Sequence, residues 1–250
     1  MRTRRLGAAL ASALVALAAA GCTAGDPAAT PATTSPSTAA PSITAASPST
    51  STPTTETTTT SAPTTTTAGT AAAAVDRLEV RTAEDPALPD YRRAEFGDDW
   101  DYDPTTGCNV RERVLIEESV VEPTVDDRCR TTVGRWRSAY DGVETDDPAD
   151  LQIDHLVPLS DAWRSGAATW SYERRHAFAN DLVEPETLIA VTGHTNQSKG
   201  DRSPDEWLPP DRAAWCDYAA AWVAVKLRWG LSVTGPEKST LVSVLSGCGA

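Results

Sequence analysis

Asp154 and His155 stand side by side at the end of the short apolar run Leu151-Gln152-Ile153, and Asn196 and Lys199 follow a second, β-branched run. An imidazole with a reference pKa near ~6.5 is largely neutral at physiological pH and can take a proton from water. Neighbouring side chains on a strand point to opposite faces, so Asp154 is directed away from His155. A carboxylate and the amide oxygen of Asn196 are hard donors. They suit Mg²⁺, or Mn²⁺, an ion that keeps waters and leaves room for a phosphate. Such an ion would act as a Lewis acid on the phosphate and leaving oxygen. Lys199, Arg202, Arg174 and Arg175 supply cations nearby in sequence for phosphate contacts. A base, a metal and cations together suit hydrolysis of a phosphodiester.

These residues need a scaffold that brings them together. Residues 151–158 read as a strand broken at Pro158, and 160–168 as a short helix. Ser171 can cap a second helix running through Phe178 and ending near Asn180-Asp181. Thr187 to Val191 reads as a second strand closed by Gly193, and a short helix is expected from Asn196 to about Gly200. Strand, long loop, strand and helix make a ββα unit that would gather Asp154, His155 and Asn196. Further on, Asp211 is a natural N-cap. Trp215, Trp222 and Trp229 then recur every seven residues as one apolar stripe, read as core. Thr234 and Glu237 form a capping box for the last helix. Upstream, Asp98, Asp99, Asp101 and Asp103 surround Trp100 and Tyr102 in a solvated acidic loop. The run from Val110 to Val121 fits helix or strand, and Thr131 to Tyr140 has strand-and-turn character.

The ordered set Ile153-Asp154-His155-Leu156-Val157-Pro158-Leu159, Asp161-Ala162-Trp163, Phe178-Ala179-Asn180-Asp181, Leu188-Ile189-Ala190-Val191 and Asn196-Gln197-Ser198-Lys199-Gly200-Asp201 resembles the HNH endonuclease family. More narrowly, it is similar to an exported branch related to the C-terminal domain of GmrSD-type restriction enzymes. Tyr91-Arg92-Arg93, Phe96-Gly97, Trp100 and Gly107-Cys108 extend the resemblance upstream, and Trp207-Leu208-Pro209-Pro210, Cys216-Asp217-Tyr218 and Val225-Lys226 extend it downstream. The resemblance implies an α+β fold with a ββα-metal core and additional helices. It also implies a metal-dependent endonuclease acting on DNA, with RNA as the alternative substrate. His155 would then be the general base, Asp154 and Asn196 the metal ligands. The middle asparagine of the family pattern is replaced here by Thr187, and Asn180 is the nearest substitute.

The chain has 250 residues, but 47 of the 52 from Thr23 to Ala74 are Thr, Ser, Pro or Ala. Such a run has too little apolar surface to order itself and reads as a linker over 23–74, leaving a domain over 75–250. Residues 1–22 read as an export signal: Arg2, Arg4 and Arg5 precede the apolar stretch Leu6–Ala20. The ending Ala19-Ala20-Gly21-Cys22 resembles a lipobox, so Cys22 is the expected lipid attachment and membrane anchor of an extracytoplasmic protein; the alternative is a plain secretory signal and a secreted protein. Cys108, Cys129, Cys216 and Cys248 are then expected to form two disulfides. Three connectivities exist, of which proximity favours Cys108–Cys129 and Cys216–Cys248.

Of the 22 basic and 35 acidic residues, Arg2, Arg4 and Arg5 lie in the leader and Asp26 and Glu56 in the linker, leaving the domain a net −14. A broadly basic nucleic-acid coat is excluded. Ser160 and Ser198 lack the strand-turn-helix elbow of a serine hydrolase. The alternative to an active nuclease is a lipoprotein on the same scaffold that has lost turnover and acts as a cell-envelope binding protein, with Thr187 as the lesion.

Overall fold

The computed structural model describes residues 65–82, 87–183 and 185–248. The leader, Cys22 and the linker as far as residue 64 lie outside the described residues. In chain order the elements are α1 (Thr65–Ala74), α2 (Val110–Glu118), β1 (Thr124–Val125), β2 (Thr131–Val133), β3 (Trp136–Arg137), β4 (Glu144–Thr145), β5 (Leu151–His155), α3 (Leu159–Arg164), α4 (Tyr172–Ala179), β6 (Leu188–Thr192), α5 (Gly193–Lys199), α6 (Trp215–Trp229) and α7 (Gly235–Ser246). The strands pair antiparallel two by two, β1 with β2, β3 with β4 and β5 with β6. The fold is therefore α+β, with a ββα unit formed by β5, β6 and α5.

Helix ends are set by side chains that satisfy the first free backbone N–H groups. Asn109 accepts from Glu112 N at α2, Ser171 from Arg174 N at α4, and Thr192 from Thr195 N at α5. Because Thr192 is the cap, α5 starts three residues before the Asn196 expected from sequence. Asp211 caps a 3-10 turn, Arg212–Ala214, that leads into α6. Thr234 and Glu237 form the reciprocal capping box at α7.

Two apolar clusters hold these elements. The larger is centred on α6, where Trp222, Ala219, Val223 and Val225 meet Phe96, Trp163, Phe178, Val157 and Leu241. The smaller packs α2 on the hairpin through Val110, Val114, Leu115, Trp136, Leu151, Leu188 and Ala190. Helix α1 lies in the stretch read as linker, and its Ala71 is buried in the larger cluster. Alanine is the best helix former and has no side-chain entropy to lose, so an alanine-rich run can dock where a proline-rich one cannot. Both expected disulfides are formed, Cys108–Cys129 with Cα atoms 5.0 Å apart and Cys216–Cys248 with 5.8 Å.

Candidate active site

Strand β5 ends on the functional pair. In the β5–β6 register Asp154 faces Ile189 and His155 faces Leu188. Alternation sends Gln152 and Asp154 to the side covered by α5, and Ile153 and His155 to the other. On the α5 side, Asn196 Nδ2 donates to Gln152 Oε1 at 2.9 Å. One turn later, the fully buried Lys199 places its ammonium 2.8 Å from Asp154 Oδ2 and 3.0 Å from Oδ1, and also donates to His155 O at 3.0 Å. Tyr140 Oη donates to Asp154 Oδ2 at 2.5 Å. Burial first, then the Asp154 charge, push the Tyr140 phenol well above its ordinary value, so it stays a donor.

On the opposite side, the His155 ring is stacked on Trp100, with centroids 5.5 Å apart and planes at 15°. His155 Nε2 lies 2.9 Å from Ala179 O. A carbonyl oxygen only accepts, so Nε2 carries the proton and the lone pair is on Nδ1. The residue is 8% exposed. Burial, opposed by the Ala179 hydrogen bond and reinforced by the charges of Arg93 and Lys199, lowers its pKa to about 3. The ring is thus the neutral acceptor that a general base must be. Its basicity is weak while it is covered.

The loop between α4 and β6 holds this arrangement in place. Ala179 supplies the carbonyl for the base. Asn180 does not reach the ring: its Oδ1 accepts from Asp101 N at 2.9 Å and its Nδ2 donates to His176 O at 3.1 Å. Asn180 therefore fastens the segment that carries Trp100. Thr187 is buried at the far end of the loop, where its backbone O accepts from Leu156 N at 3.1 Å. Its Oγ1 donates to Asp181 Oδ2 at 3.2 Å and accepts from Arg228 Nη2 at 2.8 Å. Asp181 also receives the Arg228 guanidinium and, at 3.0 Å, Trp229 Nε1.

A search against known families matches residues 113–244 to the C-terminal domain of GmrSD restriction endonucleases. The chain belongs to this family. Over 141 residues it is 49% identical to an "Uncharacterized secreted protein" of Arthroderma benhamiae (strain ATCC MYA-4681 / CBS 112371), covering 56% of this chain and 68% of that protein. No solved structure matches.

The GmrSD C-terminal domain match encloses the whole ββα unit, whereas Trp100 and Arg93 lie upstream of it. Arg93 was quoted in the sequence pattern without a role. It is exposed, at the start of the 3-10 turn Arg93–Phe96, and its charge is felt at His155. The cluster of Asp181, Arg228 and Trp229 was not anticipated at all. Only Asp181 carried a signal, through its place in Phe178-Ala179-Asn180-Asp181.

The cations expected to meet phosphate are distributed differently from the sequence expectation. Arg175 is buried and donates to Glu95 O at 2.8 Å, Glu95 Oε2 at 2.9 Å and Trp170 O at 2.5 Å. Arg174 lies over the Trp170 ring at 4.4 Å and donates to Trp229 O at 2.9 Å. Both arginines stitch the fold rather than face a substrate, because their aromatic and carbonyl partners lie on neighbouring elements. Lys199 is likewise committed to Asp154. Arg202 is exposed, with its Nε donating to Lys199 O at 3.1 Å.

The HNH resemblance read from the sequence would put a divalent ion at Asp154 and Asn196. In this arrangement the donor set does not fit one. Both Asp154 oxygens are held by Lys199, and an ion there would stand against a buried ammonium. Among the described residues, no group of three or more His, Cys, Asp or Glu is placed to hold a metal.

Proposed function

We propose that this protein is an exported endonuclease that hydrolyses phosphodiester bonds of DNA, with RNA as the alternative substrate. The observation that carries the reading is the His155 tautomer at the end of β5, with Nε2–H held by Ala179 O and Nδ1 left as the acceptor. Membership of a restriction-endonuclease domain family supports the same reaction class. In the step itself, Nδ1 takes a proton from a water whose oxygen attacks phosphorus, and the opposite P–O bond breaks. Arg93 and Arg202 are the exposed cations available to the phosphate. The secreted relative, the two disulfides and the leader-like N-terminus support an extracytoplasmic location, with Cys22 as the proposed lipid attachment. Among the described residues, no helix is long and apolar enough to cross a membrane.

The test is nicking of supercoiled plasmid by the oxidised full chain with Mg²⁺ or Mn²⁺, beside His155→Ala and an EDTA control. Cleavage lost in His155→Ala supports the base. Cleavage that persists in EDTA leaves charge neutralisation to the exposed arginines. Cleavage lost in EDTA means that Lys199 gives up Asp154 when an ion arrives. A folded chain that cuts nothing under any condition overturns the reading in favour of a binding protein on the same scaffold.

A further inference from the structure

The side chain that covers His155 belongs to a segment with the design of a moving part. We propose that residues 98–106 form an acidic lid, closed over His155 by Trp100, that must lift before a phosphodiester reaches the base. The proposal rests on the nuclease reading for its purpose, but its geometry stands independently of that reading.

Two glycines in left-handed conformations flank the segment, Gly97 at φ 95° and Gly107 at φ 74°. A side chain at Gly97 would have its Cβ 2.5 Å from His176 Cδ2, so this end of the segment requires glycine. Between them, Trp100 is half-buried against the smaller apolar cluster and stacked on the imidazole. The rest faces outward, with Asp98, Asp99, Asp101 and Tyr102 exposed.

The fastenings are unequal along the segment. Upstream, Asp101 N donates to Asn180 Oδ1, Val110 N donates to Asp101 O at 3.0 Å, and Asp101 Oδ1 lies 3.6 Å from His176 Nε2. Downstream, Asp103 N donates to Cys108 O and Gly107 N to Asp103 O, both at 2.8 Å, Tyr102 bridges Asn109 antiparallel, and the Cys108–Cys129 disulfide holds that end in place. The part around Trp100, held by one aromatic stack and a few solvent-reachable hydrogen bonds, belongs to the low-stability end of a fold, where local opening is cheapest, and the downstream turn moves with it or serves as its anchor. Its charge gives the opening a direction. The four aspartates carried by the segment repel a phosphodiester approaching over it, so nucleic acid interacts better with the open state than with the closed one. That differential interaction is what shifts such an equilibrium. The lid lies upstream of residues 113–244, outside the segment matched to the family.

The decisive measurement is the rate of diethylpyrocarbonate modification of each histidine in the oxidised full chain, read by mass spectrometry. His194 is exposed and serves as the internal reference. With an open state populated at roughly 0.1–10%, His155 should react at least ~10-fold more slowly than His194. Trp100→Ala should erase most of that difference. Asn180→Ala, which keeps the indole and removes the latch, should give an intermediate rate. Melting temperature is followed in both, and Asn180→Ala decides the matter if Trp100→Ala fails to fold. His155 reacting as fast as His194 in the unmodified chain, or at an unchanged rate in folded variants, overturns the lid. Faster labelling without cleavage in any variant keeps the lid and removes the nuclease reading. Cleavage by the unmodified chain with labelling unmoved does the reverse.

Discussion

Thr187 stands where the HNH resemblance would place an asparagine, and its hydroxyl has a full set of partners. It gives one hydrogen bond to Asp181 and receives one from Arg228, both inside the protein. Thr187→Val keeps the shape and removes the hydroxyl, leaving the Arg228 and Asp181 groups one partner short. A loss of about 1–3 kcal/mol in urea unfolding is expected, the usual cost of unsatisfied buried polar atoms. Thr187→Asn should also destabilise, because the larger amide has no space in a buried site, and it should not raise activity. Lys199 sets a larger stake. Lys199→Met leaves Asp154 buried with only Tyr140, and breaking a buried pair from one side costs about 3–5 kcal/mol. Adding Asp154→Asn should recover much of that loss. If the single and double variants melted alike, the pair would not be coupled.

At the scale of elements, α2 and β6 share one hydrogen-bonded carboxyl beside their apolar contact. Glu118 Oε2 accepts from Ala190 N at 2.9 Å, and burial pushes its pKa up to about 8. The folded state therefore holds this proton more tightly than the unfolded chain, whose glutamate titrates near ~4.3. The stabilisation is complete below the unfolded value and is lost as pH rises through the folded one. Melting temperature should fall between about pH 4.5 and pH 8 for this reason, and Glu118→Gln should flatten that fall. An unchanged slope in the variant would assign the pH dependence elsewhere.

The elements themselves were largely legible in the sequence, because their signals are local. Ser171, Asp211 and the Thr234–Glu237 pair cap where they were expected to, and the two strands fall within three residues of their expected ends. The anchoring of Thr187 was not legible. Arg228 reaches it, and Trp229 reaches its partner Asp181, from the end of α6, some 40 residues away in sequence, and no periodicity encodes such contacts. Docking of α1 was hidden for a related reason: composition reports disorder, while burial of Ala71 is decided by the face of α6 it meets.

For the molecule as a whole, two covalent closures and an acidic surface set the behaviour. The Cys216–Cys248 bond ties the start of α6 to the end of α7 across 32 residues. Its removal by Cys216→Ser with Cys248→Ser should cost about 2–4 kcal/mol, seen as a lower denaturant midpoint. The charge balance bears on substrate binding. The domain carries a net −14, and Arg174 and Arg175 of α4 are spent on the fold. The exposed cations proposed to meet phosphate are Arg93, whose charge is felt at His155, and Arg202, which follows α5. Each phosphate neutralised contributes roughly −0.9 to the slope of log affinity against log salt on duplex DNA. Two such contacts predict a slope near about −2 for His155→Ala full chain on a labelled duplex, measured by anisotropy between ~50 and ~200 mM salt. Arg93→Ala in that background should reduce the slope by about 1. A slope of about −6 or steeper would require several more phosphate contacts than these two arginines make. A slope unchanged by Arg93→Ala would remove Arg93 from the phosphate's path.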